Sequence, residues 1–120
     1  MLQVYKNENN VLVEQTLATA EKGSWINLVN PTSEELIITA NACNVPLDVL
    51  KTALDEEERS HVEIEDDYVL VITNIPLIRG KDKYDTLPLG MLITTQYFVT
   101  VCLEPNEVLR TFCFENARSF

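Results

Sequence analysis

The chain has 120 residues, 46% of them hydrophobic and 23% charged, with only three glycines; this is the profile of one folded domain and excludes a disordered segment. A net charge of −10 argues against nucleic acid or anionic lipid as a direct ligand, because phosphates would be repelled, and suits divalent cations or basic protein surfaces. No stretch reaches the roughly 18–20 continuous apolar residues that cross a bilayer, Met1 to Lys6 lacks the parts of a signal peptide, and Cys43, Cys102 and Cys113, without a CxxC, read as buried thiols of a cytosolic protein.

Val4-Tyr5 and Val11-Leu12-Val13 flank Asn7 to Asn10 and predict an opening β-hairpin. Ser24 to Val29 alternates apolar and polar positions and predicts a third strand, ended by Asn30-Pro31. Thr32 with Glu35 has the spacing of a capping box, so a helix follows through Leu36, Ile37, Ala40 and Cys43. Asn44 and Pro46 mark a break and a restart. Leu47, Leu50 and Leu54 then define one face of a second short helix.

The segment from Leu54 to Tyr68 is the most unusual part. Asp55, Glu56, Glu57, Glu58, Glu63, Glu65, Asp66 and Asp67 make it hold eight of the 19 acidic residues, answered by Arg59 and the neutral His61. Within it a strand from His61 to Glu65 is expected to turn Val62 and Ile64 inward, with His61 on the solvent side. Glu65-Asp66-Asp67 makes a tight turn, and Tyr68 to Ile75 returns as a central strand that Pro76 ends or places near an edge. Arg79 to Lys83 reads as a mobile polar loop. Leu87 to Thr94 and Tyr97 to Leu103 form a further strand pair about Thr95-Gln96. Pro105-Asn106 opens a helix carrying Val108, Leu109, Phe112 and Cys113, whose apolar stripe still runs at Phe120. The expected fold class is α/β: a mixed, largely antiparallel β-sheet layered with α-helices.

The chemistry of the residues narrows the function. The single histidine has no cysteine near it in sequence, and the isolated Gly23, Gly80 and Gly90 form no phosphate loop. Zinc ligation finds no suitable spacing. The carboxylates lie in one continuous polar run, not in two environments that would separate an acid from a base. Weak binding of magnesium remains, because that ion keeps several waters and needs only one or two carboxylates. Asp55 to Glu58 also follow a helix end, where the helix dipole disfavours negative charge, so a cation or a basic neighbour would relieve the strain.

Three blocks then carry a family resemblance. They are Trp25-Ile26-Asn27-Leu28 with Pro31-Thr32 and Glu34-Glu35; Val45-Pro46-Leu47 with Leu50, Asp55 to Arg59, Val62-Glu63 and Asp67-Tyr68; and Tyr84-Asp85-Thr86-Leu87-Pro88-Leu89-Gly90 with Thr94 and Tyr97 to Val101. In this order and spacing the chain resembles the amino-terminal cytoplasmic domain of the CorA family of magnesium and cobalt transporters. The resemblance implies that residues 1–120 form a single domain of a truncated transporter, lacking the long helix and the transmembrane helices with their Gly-Met-Asn signature. It implies a regulatory and assembly part, not an enzyme, that senses intracellular Mg2+ and gates the pore. Implied partners are copies of the same chain in a homopentamer and divalent cations, with no nucleic acid and with the membrane reached only through the missing C-terminal part. The full-length protein would sit in the cell membrane with this domain on the cytoplasmic side, and Mg2+, with cobalt as a second ion, would be both regulator and cargo.

One departure bears on the site. Family members carry a Glu-Asp pair in the helix after the Pro-Leu block, and the matching positions here are Lys51 and Thr52. Either Asp55 and Glu56, one turn further on, take over as the regulatory Mg2+ contacts, or regulation uses other residues. The alternative to the transporter reading is a stand-alone acidic protein-interaction module.

Overall fold

A computed structural model describes residues 1–81 and 83–106, with the backbone alone at 78, 79, 83 and 84. Seven strands form one sheet: β1 (Leu2–Glu8), β2 (Val11–Gln15), β3 (Ser24–Val29), β4 (His61–Ile64), β5 (Tyr68–Gly80), β6 (Lys83–Thr94) and β7 (Tyr97–Cys102). Their spatial order is β2-β1-β3-β7-β6-β5-β4. Every neighbouring pair is antiparallel except β3 with β7, which run parallel in the middle. The expected α/β class and mixed sheet are what the chain adopts.

Local chemistry explains most of the turns. Asn9 and Asn10 both take positive φ, 55° and 66°, the backbone a two-residue hairpin loop needs and one asparagine tolerates. The hairpin they close is longer than the apolar residues predict, because β1 starts at Leu2. Helix α1 (Ser33–Cys43) begins with the expected capping box: Thr32 Oγ1 accepts from the Glu35 amide at 3.1 Å, and Glu35 returns a carboxylate oxygen to the Thr32 amide at 2.9 Å. Asn44 ends it in the left-handed conformation. After Pro46, α2 (Leu47–Thr52) buries Val49 and Leu50.

The helices cover one face of the sheet. There Leu36, Ala40, Cys43, Val49 and Leu50 pack against Val4, Ile26, Leu28, Val99, Val101, Leu92, Leu70 and Ile72. The other face carries a second cluster of Trp25, Ile75, Leu77, Leu87, Leu89 and Cys102, edged by Tyr5, Leu12, Met91 and Phe98. Trp25 Nε1 donates to Thr100 Oγ1, which donates to Asn27 Oδ1, both at 2.8 Å. This relay satisfies three buried polar groups between β3 and β7. Strand β3 is buried on all six residues; of its polar positions, Ser24 Oγ accepts from Gln15 Nε2 on β2 and Asn27 Oδ1 accepts from Thr100 on β7.

The long β5–β6 hairpin departs from the polar loop expected over Arg79–Lys83 and, of the two outcomes expected at Pro76, takes the second, a place near the sheet's edge. Neither Pro76 nor the Arg79–Lys83 segment ends the ribbon, since pairing continues from Pro76 with Thr86 to Gly80 with Lys83. Pro76 is tolerated because β4 pairs only as far as Ile72, so β5 has an open side at the proline among the described residues. Gly80, at φ 134°, supplies the backbone that only glycine adopts readily at the turn. The helix expected after Pro105 lies outside the described residues.

Candidate functional site

The acidic segment forms one margin of the sheet. Its placement starts at Gly90 in β6, where a side-chain Cβ would collide with Ala53 Cβ and come within 3.6 Å of Ile72 Cδ1. The absent side chain lets the end of α2 settle directly onto the sheet, and Ala53 is completely buried. From that anchor the chain leaves the core within two residues, through half-buried Leu54 to exposed Asp55 and Glu56.

The loop after α2 is held by its own backbone. Asp55 Oδ1 accepts from the Glu57 amide at 3.0 Å, and the Asp55 carbonyl accepts from the Glu58 amide at 3.0 Å. One oxygen of the Asp55 carboxylate is thus used to shape the turn. At the matching family positions, Lys51 is exposed and Thr52 Oγ1 donates to the Asp48 carbonyl at 2.9 Å. Ser60 receives a hydrogen bond from Asn74 Nδ2 at 3.1 Å, which ties the loop end to β5.

Strand β4 corrects a direct expectation. Val62 and Ile64, predicted to face inward, are 57% and 77% exposed. The register explains it: His61 and Glu63 lie opposite Ile72 and Leu70, on the helix-covered face, while Val62 and Ile64 lie opposite Val71 and Val69 on the other. Helix α2 is seated over β6, two strands in from the margin, and β4 falls beyond the cover of either layer.

His61, expected on the solvent side of its strand, lies instead on the helix-covered face. Its side chain is 31% exposed and its ring lies between two carboxylates, with Nδ1 3.4 Å from Glu58 Oε1 and Nε2 3.7 Å from Glu63 Oε2. Nδ1 is 2.6 Å from the Arg59 carbonyl, which can only accept, so Nδ1 carries the proton. A neutral ring would then turn the Nε2 lone pair toward a carboxylate. The Arg59 carbonyl first, and then Glu58 and Glu63, raise the His61 pKa above its ordinary value. Sequence reading missed this trio because Glu58 and Glu63 flank the ring only once the turn and the strand register exist.

As a cation site the margin is incomplete in one chain. Asp55 and Glu56 are hard oxygen donors of the kind Mg2+ accepts, and both face solvent. Among the described residues, no group of three or more His, Cys, Asp or Glu is placed to enclose a metal ion. Water and a second chain would have to supply the other ligands. Cys43 and Cys102 are buried, and burial raises both thiols, Cys43 to about 11, so neither is a thiolate at neutral pH. No helix among the described residues is long and apolar enough to cross a membrane.

With this geometry in hand, the likeness to known proteins is specific. A family profile described as "CorA-like Mg2+ transporter protein" matches residues 20–119. The "Cobalt/magnesium transport protein CorA" of Methanocaldococcus jannaschii is 30% identical over 77 residues, which is 64% of this chain and 24% of that protein. The complete CorA magnesium transporter of the same organism superposes with a TM-score of 0.79 at 23% identity, covering 93% of this chain and 35% of that one. The soluble domain of that CorA gives 0.76 at 21% identity, over 93% of this chain and 44% of that one. The ZntB cytoplasmic domain from Vibrio parahaemolyticus gives 0.69 at 15% identity, over 92% and 46%. The chain thus spans about a quarter of the curated relative's length and less than half of each of these structures.

Proposed function

The chain belongs to the CorA-like Mg2+ transporter protein family, and from that premise we propose that residues 1–120 are the cytoplasmic regulatory and assembly domain of a divalent-cation transporter. The whole protein would lie in the cell membrane as a homopentamer carrying Mg2+, with cobalt as a second ion. This domain would sense intracellular Mg2+ and gate the pore, a role in transport and not in catalysis. The observation that carries the reading is the family match through the acidic margin, at which a tightly packed fold gathers carboxylates on an exposed loop.

The mechanism follows from charge. Asp55 and Glu56 offer part of a ligand shell, and the same loop or another face of a neighbouring copy would complete it, with waters in the remaining positions. While the ion is shared, the carboxylates of the two copies are screened and the symmetric arrangement is favoured. When it leaves, like charges repel and the copies shift apart. Such a change gates only to the extent that the ion binds one arrangement more tightly than the other. Lys51 and Thr52, at the positions of the family's Glu-Asp pair, offer the ion no carboxylate.

The test is a Mg2+ titration of ion flux in the full-length assembly with Asp55→Lys and Glu56→Lys together. Loss of the Mg2+-dependent closure is the expected result. A titration curve that matches the unsubstituted protein removes both residues from the regulatory site, and flux that never responds to Mg2+ in either protein removes the sensing role.

A further inference from the structure

We propose that the free edge of β4 is a docking strand, and that its occupant is an extended segment of a partner protein in which Lys or Arg alternates with apolar residues. The segment would add to the sheet beyond β4 through main-chain hydrogen bonds.

Strand β4 ends the sheet, and among the described residues it pairs with β5 on one side and with nothing on the other. An edge strand presents a row of main-chain donors and acceptors to any chain that can align with it. Folded proteins usually blunt such an edge with short length, charge, proline or a bulge; β4 has the first two, in its four residues and in Glu63, and a charge of that sign turns away acidic segments while admitting basic ones. His61-Val62-Glu63-Ile64 contains no proline or lysine, and its pairing with β5 runs without a register shift. It also leaves two branched aliphatic side chains exposed, at 57% for Val62 and 77% for Ile64. Ile93, 48% exposed on β6 and separated from Ile64 by Val69 of β5, lies on the same face of the sheet.

Charge chooses the occupant. Glu63 projects on the opposite face to Val62 and Ile64, while Asp55 to Glu58 precede the strand and Glu65 to Asp67 follow it. A second copy paired edge to edge would bring these carboxylates against their own equivalents, and like charges placed opposite across strands are destabilising. A basic and apolar alternation satisfies both faces: apolar side chains beside Val62 and Ile64, cations beside Glu63 and the flanking acids. Main-chain pairing supplies affinity in this mode, and the alternating side chains supply specificity.

The opposite edge makes the comparison. Strand β2 also exposes valines, Val11 and Val13. Its surroundings are mixed in sign, with Lys6 held between Glu8 and Glu21 at 3.9 and 3.6 Å. Leu12 packs into the second core cluster and Gln15 Nε2 donates to Ser24 Oγ. That edge has no charge preference and part of its side-chain set is already used.

The test takes the full 120-residue chain, isotope-labelled, with a synthetic capped peptide of alternating Lys and Val; a Glu and Val peptide of equal length is the control. Amides of 61–64 are expected to shift and gain protection from exchange with the Lys/Val peptide, with binding that weakens as salt rises. The double variant Val62→Lys/Ile64→Lys changes exposed side chains only, and its remaining amide spectrum reports that it is folded. It should bind about tenfold more weakly, the effect of losing two cross-strand pairs, and Val13→Lys on β2 should bind as the unsubstituted chain does. The proposal is overturned by the absence of a response at 61–64, by equal binding of the Glu/Val peptide, by a response centred on β2, or by self-association through β4 without peptide.

Discussion

Between β3 in the middle of the sheet and β4 at its margin, burial falls from complete to almost none. All six residues of Ser24–Val29 are buried, while Val62, Glu63 and Ile64 are exposed. Both segments are rich in β-branched or aromatic residues flanked by polar ones, and their sequences look alike in kind. The difference is one of neighbours: β3 has strands on both sides and packed layers on both faces, and β4 has one strand and no complete layer. Stability in this domain should therefore reside in the interior, and the margin should be free to vary its charge and its partners.

Substitutions can break that contrast in order of effect. Trp25→Ala should lower stability by about 3–5 kcal/mol, the usual result of emptying a large buried site, because Trp25 is fully buried and holds the Thr100 hydroxyl. Chemical denaturation measures it, and a loss as small as that of a surface change would contradict the placement of the second core cluster. Gly90→Ala should cost about 1–3 kcal/mol by overpacking against Ala53. It should also move the amide resonances of the loop from Asp55 to Ser60, since that loop hangs from the same contact.

Thr32→Ala should cost about 1 kcal/mol through loss of the helix cap. The same cap has a pH signature. The Thr32 amide first, against a smaller opposing effect of burial, keeps Glu35 below its ordinary value of 4.5. A depressed carboxylate contributes stability that is present above the ordinary value and lost as pH falls through the folded value. Denaturation at a series of acidic pH values should show this loss in the native chain and in Thr32→Ala, which keeps the amide, and should not show it in Glu35→Gln.

The smallest expected effect belongs to the margin. His61 is raised above 6.5, chiefly by the Arg59 carbonyl and then by Glu58 and Glu63. Its contribution is fully present below 6.5 and disappears as pH rises through the higher folded value. Titration of the ring resonances in the native chain and in Glu63→Gln sharpens the point: the variant should titrate at lower pH. An unchanged midpoint would mean that the Glu63 carboxylate does not reach the ring in solution.

Much of the fold was legible because its signals are local. Thr32 and Glu35 form their capping box within one helical turn, Asn9-Asn10 closes its hairpin within two residues, and Asn44 stops its helix by its own backbone geometry. The acidic margin was legible as a concentration of charge, and Asp55 and Glu56 lie exposed on it. The Glu58–His61–Glu63 grouping was not legible, because a turn and a strand separate its members and only the pairing of β4 with β5 orients them. Pro76 left two outcomes open in the sequence, an end to the strand or a place near an edge, and the pairing of β4 selected the second. A proline ends a strand when its missing amide proton is needed, and the open side of β5 at that position does not need it.

What the amino-acid order determined by itself was the opening hairpin, both described helices, the mixed layered class and the anionic character of one segment, which depend on neighbours a few residues apart or on composition, and the family, which three blocks carry by their order. Tertiary structure decided which side of β4 meets the core, that Gly90 makes room for Ala53, and that a tryptophan, a threonine and an asparagine share one buried relay. Those outcomes depend on register and on how far a helix reaches across a sheet. A strand's alternation names two faces but carries no mark of which one will be covered.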